Sequence, residues 1–89
     1  LNISIQKIHK ELKKFYKNDK FVVISKINSI ISTNDVINTN KCLISINPTR
    51  YKNKIIILSA IDNLIKGGAG QAIQNLNFKY NFKQSEGLK

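Results

Sequence analysis

Residues 61–77 contain the residue types in this chain that are best suited to hold a ligand. Three glycines, Gly67, Gly68 and Gly70, lie within four residues, directly after an apolar run and at the start of a pattern of helical period. A helix that begins on glycines exposes backbone N–H groups that have no partner within the helix. Such an end attracts anions and lets a ligand approach the backbone closely. The sequence therefore predicts an anion-binding turn here.

The glycine cluster does not match either of two common nucleotide-binding motifs. A P-loop would continue into Lys-Ser or Lys-Thr, and Ile73 stands where a dinucleotide fingerprint has its third glycine. Polar side chains nevertheless surround the turn on both sides, and their density favours a ligand site over a bare flexible connection. They are Asp62, Asn63, Lys66, Gln71, Gln74, Asn75 and Asn77.

Two other residues have side chains capable of catalysis, and neither is in a context that favours it. Cys42 is the only cysteine, so an internal disulfide and a cysteine metal cluster are excluded, and a reducing compartment is the simpler expectation. It begins an alternating apolar stretch, which indicates a buried structural thiol. His9 lies between Ile8 and Leu12 of a helical pattern, as expected of a histidine at the edge of a helix. No catalytic or metal-binding residue is predicted in the chain.

The net charge of +10 raises nucleic acid or an anionic membrane as partners. The basic residues are scattered and include only one arginine. The chain also contains 14 lysines, 12 asparagines and 16 isoleucines, whose codons are A/T-rich. Compositional bias therefore explains the charge, and a small basic nucleic-acid-binding domain is kept only as the alternative from another class. No apolar run approaches the ~18–20 residues that a membrane span needs, so no membrane partner is expected.

The apolar periodicity predicts an α+β fold in which helices cover a sheet. The predicted order is a helix at 4–16 capped by Ser4, a strand at 21–24, an irregular segment at 25–39 with room for one short strand, strands at 42–47 and 54–61, and a helix from 68. The last two strands are predicted to pair as an antiparallel hairpin. Because residues 54–61 form a continuous apolar run, we expect that strand to be buried on both faces.

The polar turn, taken with its flanks, resembles a known family signature. Residues 62–77, D-N-L-I-K-G-G-A-G-Q-A-I-Q-N-L-N, followed by Gly87-Leu88, resemble the C-terminal signature of the N-acetyl-gamma-glutamyl-phosphate reductases of the semialdehyde dehydrogenase superfamily. Upstream, Phe21-Val22 after an amphipathic helix and Thr39-Asn40-x-Cys42 before a strand are similar to that family in order and spacing.

This resemblance implies NADPH-dependent reduction of N-acetyl-gamma-glutamyl phosphate to the semialdehyde in arginine biosynthesis, by a cytoplasmic homo-oligomer. A full subunit of the family has an N-terminal Rossmann domain and a catalytic and dimerisation domain. Residues 1–89 would be the C-terminal portion of the latter, without the Rossmann domain and the nucleophilic cysteine. The residues then expected to contact NADP are Asn63, Lys66, Gly67, Gly68 and Gln71. The sister reductase of lysine biosynthesis, acting on an aminoadipate derivative, is an open alternative.

Two departures from the family pattern carry structural expectations. Gly68 stands where alanine is usual, which should loosen the start of the helix by about 0.5–1 kcal/mol. Asn81 stands where glycine is usual, and asparagine also tolerates the left-handed conformation. The isolated chain is expected to be catalytically inert and to aggregate or stay partly unfolded, since residues 55–61 would lack neighbouring strands.

Overall fold

A mixed three-stranded sheet lies at the centre of the computed structural model, which describes residues 4–89. The elements in chain order are α1 (Ile5–Phe15), β1 (Val22–Ile24), a 3-10 turn (Thr33–Asp35), β2 (Cys42–Pro48), β3 (Ile55–Ile61), a π-helical turn (Ile65–Ala69) and α2 (Gly70–Lys79). α1 packs against β1 and β2, whereas α2 packs chiefly against the π-helical turn that precedes it. The predicted α+β class is confirmed.

The first helix forms as its periodicity predicts, and it is fixed at both ends. The Ser4 hydroxyl accepts a hydrogen bond from the backbone N–H of Lys7 at 3.2 Å, which satisfies one of the unpaired donors at the helix start. The His9 ring donates through Nε2 to the carbonyl oxygen of Ser25 at 2.7 Å. His9 therefore holds α1 against the chain that leaves β1, in agreement with a structural role.

The three strands pair in the order β1-β2-β3. β1 runs parallel to β2, with Val22 opposite Cys42. β2 and β3 pair antiparallel over their whole length, so the predicted hairpin is confirmed. The segment between β1 and β2 forms no strand and contains only the 3-10 turn, where an Asp35 carboxylate oxygen accepts from the Ser32 N–H at 2.8 Å. Left-handed backbone at Asn28 and Asn38, with φ of 64° and 61°, breaks any extended run there.

The prediction that the third strand is buried on both faces is wrong for the described residues. Ile57 is 56% exposed, Leu58 is 44% exposed, and of the strand only Ala60 is buried. Among the described strands, β3 is at the edge of the sheet with β2 as its single hydrogen-bonded neighbour, and the helices do not extend across it. Cys42, expected to be buried, is partly exposed at the first position of β2, although it lies opposite a residue of β1 and a residue of β3.

The C-terminal tail folds back from the end of α2. Asn81 has a φ of 59° and the N–H of Phe82 donates to the carbonyl of Asn77 at 2.8 Å, a helix end built on a left-handed residue, as expected for Asn81. The side chain of Asn77 is 3% exposed and donates to the carbonyls of Gln84 and Glu86 at 3.1 and 2.9 Å. Asn77 thus ties the tail to α2.

Within residues 4–89, no helix is both long enough and apolar enough to cross a lipid bilayer.

Candidate functional site

The polar turn that follows β3 is organised by Asp62. Its side-chain Oδ1 accepts hydrogen bonds from the N–H groups of Leu64 and Ile65 at 2.9 and 3.3 Å. Its backbone carbonyl accepts from Lys66 and Gly67 at 2.9 and 3.3 Å. The expectation of free N–H groups at a glycine start is therefore wrong at this point. The helical segment begins ahead of the glycines, and Asp62 already occupies its first donors.

A π-helical turn places the glycines between two helical segments. The N–H of Ala69 donates to the carbonyl of Leu64 at 3.1 Å, one residue further back than in an α-helix. Gly68 then departs from helical backbone angles, with φ −144° and ψ −114°, which interrupts the helix before α2. The structure thus has a kink at Gly68, and the loosening of the helix start expected from glycine at this position stays a prediction.

Gly70 is needed for close packing rather than for ligand access. It is buried at the first position of α2. A Cβ atom at this position would lie 2.5 Å from Asn40 Oδ1 and 2.6 Å from the carbonyl oxygen of Ile65. Only a residue without a side chain allows α2 to approach the chain before β2 this closely.

Three polar side chains from distant parts of the chain meet behind the turn. The Gln74 side-chain oxygen Oε1 accepts from Lys66 Nζ at 2.7 Å and from Asn40 Nδ2 at 2.8 Å. The Lys66 ammonium also lies 5.6 Å from the ring centroid of Phe21, within the range of a cation–π interaction. We call Asn40, Lys66 and Gln74 the amide–lysine cluster. The sequence alone does not show that these three residues meet, although each lies in one of the motifs described above.

The most buried member of this cluster is Asn40, whose side chain is 0% exposed. Its Oδ1 atom has no hydrogen-bond partner among the described residues and faces Gly70 instead. Its backbone N–H donates to the carbonyl oxygen of Lys89 at 2.9 Å. Asn40 therefore connects the C-terminal tail to the two side chains of the turn.

The predicted cofactor residues fall into two groups. Asn63, Lys66, Gly67 and Gly68 lie together in the turn, where Gly67 faces the Asn63 side chain, and a Cβ at residue 67 would lie 2.5 Å from Asn63 Oδ1. Asn63 is exposed, and its side-chain amide has no hydrogen bond within residues 4–89. Gln71 lies further along, on α2, where its amide donates to Asn75 Oδ1 at 3.0 Å.

Hydrogen bonding also sets the ionisation of the capping carboxylate. The Asn38 N–H, which donates to Asp62 Oδ2 at 2.8 Å, lowers the pKa of Asp62 from its ordinary value, and the N–H of Leu64 adds to this effect. Desolvation opposes the shift, and the N–H of Ile65 contributes a smaller lowering. The carboxylate form is the one that holds the turn. No group of three or more His, Cys, Asp or Glu side chains in the described part of the chain is arranged to bind a metal ion.

These features define an α+β unit that carries a carboxylate-capped, glycine-containing turn at the end of an edge strand. Comparison with known proteins identifies the family. Residues 1–63 match the family model described as semialdehyde dehydrogenase, dimerisation domain. The chain therefore belongs to the semialdehyde dehydrogenase dimerisation-domain family, and the resemblance seen in the sequence is confirmed.

Curated relatives extend this similarity through the turn and α2. The chain is 49% identical over 90 residues to the N-acetyl-gamma-glutamyl-phosphate reductase of Karelsulcia muelleri (strain GWSS), covering 100% of the chain and 26% of that protein. It is 48% identical over 86 residues to the enzyme of the same name from Clostridium botulinum (strain Eklund 17B / Type B), covering 97% of the chain and 25% of the relative. The chain thus spans about a quarter of the length of the curated relatives it matches.

Because the chain matches a segment of a longer relative, its residues can be tested within that relative. We define the chimera as the Clostridium botulinum reductase in which the matched segment is replaced by these 89 residues.

The capping role of Asp62 predicts a specific pH dependence in the chimera. An unfolded aspartate has a pKa of ~3.9. Because the folded pKa is lowered, the stabilisation from Asp62 is fully present above about pH 4 and is lost as the pH falls through the lower folded value. Melting temperatures measured between acidic and neutral pH should show the chimera more stable than its Asp62→Asn variant above about pH 4, with the difference shrinking below it. A difference that is independent of pH would contradict the assignment.

Proposed function

We propose that residues 1–89 form the C-terminal portion of the catalytic and dimerisation domain of an NADP-dependent reductase. The proposed reaction converts N-acetyl-gamma-glutamyl phosphate to N-acetylglutamate semialdehyde in arginine biosynthesis. The whole enzyme would act as a cytoplasmic homo-oligomer, with its Rossmann domain and nucleophilic cysteine outside this segment. The observation that carries the proposal is the identity of 49% to a reductase of that name over the entire chain. The names of the relatives favour this substrate over the aminoadipate derivative.

The role of this segment would be to support the sheet and to present the turn to the cofactor. The described residues supply no pair of side chains suited to bond breaking. His9 is bonded to the carbonyl of Ser25, and Cys42 begins β2. We therefore propose that the chain is inert alone and acts through binding and orientation.

The side chains of the turn fit part of a nicotinamide cofactor. The Asn63 amide is exposed and forms no hydrogen bond with any residue from 4 to 89, so it can pair with a carboxamide such as that of nicotinamide. Among the described residues, Lys66 uses one of its three N–H donors on Gln74, which leaves two for an anionic group. Gly67 and Gly68, both exposed, have no side chains to block an approaching ligand. The bound cofactor would supply hydride, and these residues would hold and orient the cofactor.

The cofactor role of Asn63 is tested in the chimera by Asn63→Ala. Loss of a neutral hydrogen bond costs about 1 kcal/mol, so we expect the KM for NADPH to rise about fivefold with little change in melting temperature. The matched control is Asn18→Ala, since Asn18 is an exposed asparagine in the turn after α1. An unchanged KM in Asn63→Ala would remove Asn63 from the site. An unmodified chimera that folds but does not reduce N-acetyl-gamma-glutamyl phosphate with NADPH would overturn the proposed function.

A further inference from the structure

We propose that Asn40 and Gln74 are positioning residues that hold the Lys66 ammonium in place for an anionic group of the cofactor. The inference rests on the proposed function, in which the turn faces NADP. Nothing in the resemblance assigned a role to Asn40 or Gln74. The geometry of the amide–lysine cluster carries the proposal.

Lys66 requires an external constraint to serve as a defined point charge. Its ammonium lies at the end of a flexible four-carbon stem that has many rotamers. Here the ammonium is held by Gln74 Oε1 at 2.7 Å and lies over the Phe21 ring, which is itself only 2% exposed. These two contacts define its position from two directions. A ligand that binds this ammonium would therefore not have to order the lysine side chain, which lowers the entropic cost of binding.

Asn40 keeps the Gln74 amide in the orientation that Lys66 needs. Gln74 Oε1 receives donors from both Lys66 and Asn40, so rotating the amide would turn its NH₂ group toward two other donors. Asn40 is fully buried and fixed by its backbone bond to the tail, which leaves it little freedom to adapt. The orientation of Gln74 is thereby determined by groups that do not move easily.

Because the Gln74 side chain is uncharged, replacing it by glutamate can distinguish a positioning role from a merely structural one. An amide oxygen holds Lys66 while leaving its positive charge uncompensated. A carboxylate at residue 74 would accept the same two hydrogen bonds, and charge assistance would strengthen them. It would, however, neutralise Lys66. If the cluster only ties α2 to the chain before β2, Gln74→Glu should leave the melting temperature, kcat and the affinity for NADPH unchanged. If the cluster prepares a charge for a ligand, Gln74→Glu should weaken ligand binding while the fold survives.

The experiment compares Gln74→Glu, Gln74→Leu and Lys66→Met in the chimera. Melting temperature reports folding, steady-state kinetics give kcat and the KM for NADPH, and cofactor fluorescence gives the dissociation constant for NADPH. For Gln74→Glu we expect an unchanged or raised melting temperature, a kcat within about twofold, and a KM and dissociation constant raised about tenfold, as for a lost charge-assisted contact. Lys66→Met should show a similar rise. The charge-matched control is Gln6→Glu on the exposed face of α1, which should leave both constants unchanged.

The outcomes separate this inference from the proposed function. A Gln74→Glu chimera that binds NADPH as tightly as the unmodified one, or no more weakly than Gln6→Glu, overturns the positioning role. If Lys66→Met and Asn63→Ala raise the KM but Gln74→Glu does not, the cofactor turn stands and only the positioning role fails. If none of the three changes the KM, the cofactor assignment of the turn fails, and the positioning role with it. Should Gln74→Leu fail to fold, Gln74→Glu still decides, because it retains both hydrogen bonds.

Discussion

Replacing Gly70 by alanine is expected to lower the free energy of unfolding of the chimera by about 3 kcal/mol, the upper end of what overpacking usually costs. The added Cβ would lie 2.5 Å from Asn40 Oδ1, 2.6 Å from the Ile65 carbonyl oxygen and 2.7 Å from Ile65 Cγ2. Real Cβ atoms do not make contacts this short, so something must move. The Ile65 carbonyl accepts the N–H of Gly70, and Asn40 is fully buried. Neither neighbour can retreat without losing a hydrogen bond or packing.

The control for this prediction is Gly68→Ala, two residues earlier. A Cβ at residue 68 would lie 3.5 Å from the carbonyl oxygen of Asn63, which is an ordinary van der Waals distance. We therefore expect a change of no more than about 1 kcal/mol, because no neighbouring atom has to move to admit the methyl group. Denaturant midpoints of the two variants make the comparison directly. Equal stabilities would mean that the close approach of Gly70 to Asn40 does not constrain the fold.

The isolated 89-residue chain is expected to self-associate rather than to remain a monomer. β3 presents an unpaired edge whose apolar side chains are also exposed, including Ile57 at 56% and Leu58 at 44%. Only four hydrophobic residues in the described part of the chain are buried, too few to offset the cost of ordering it. An exposed apolar edge strand is a template for pairing with other chains. Size-exclusion chromatography with light scattering should therefore show large species.

Salt and a matched pair of lysine substitutions test the origin of this association. The net charge of +10 opposes association at low ionic strength, so added salt should increase it. Ile57→Lys places a charge on β3 and should raise the monomer fraction severalfold. Ile30→Lys adds the same charge at a residue that is 97% exposed in the connection before β2, and it should have little effect. A wild-type chain that is monomeric and melts cooperatively would contradict the prediction.

Local sequence was sufficient for the elements whose determinants lie within a few residues. The amphipathic period of α1, its Ser4 cap and the left-handed Asn81 at the end of α2 all depend on neighbours along the chain. The β2-β3 hairpin was predictable because its strands are close in sequence and both apolar. The family signature at 62–77 was likewise readable as a pattern, and the comparisons confirm it.

Other features depended on which residues meet in space, and periodicity does not report that. The apolar run of β3 indicates a strand that would be stable if covered, but whether neighbours cover it depends on the rest of the fold, and here Ile57 and Leu58 are exposed. The N–H groups around the glycines are a local exception, because Asp62, two to five residues earlier, accepts those of Leu64, Ile65 and Gly67. The contact of Asn40 with Gln74 joins residues 34 positions apart. Such a hydrogen bond forms only after α2 and the chain before β2 have packed, so a local sequence pattern does not predict it.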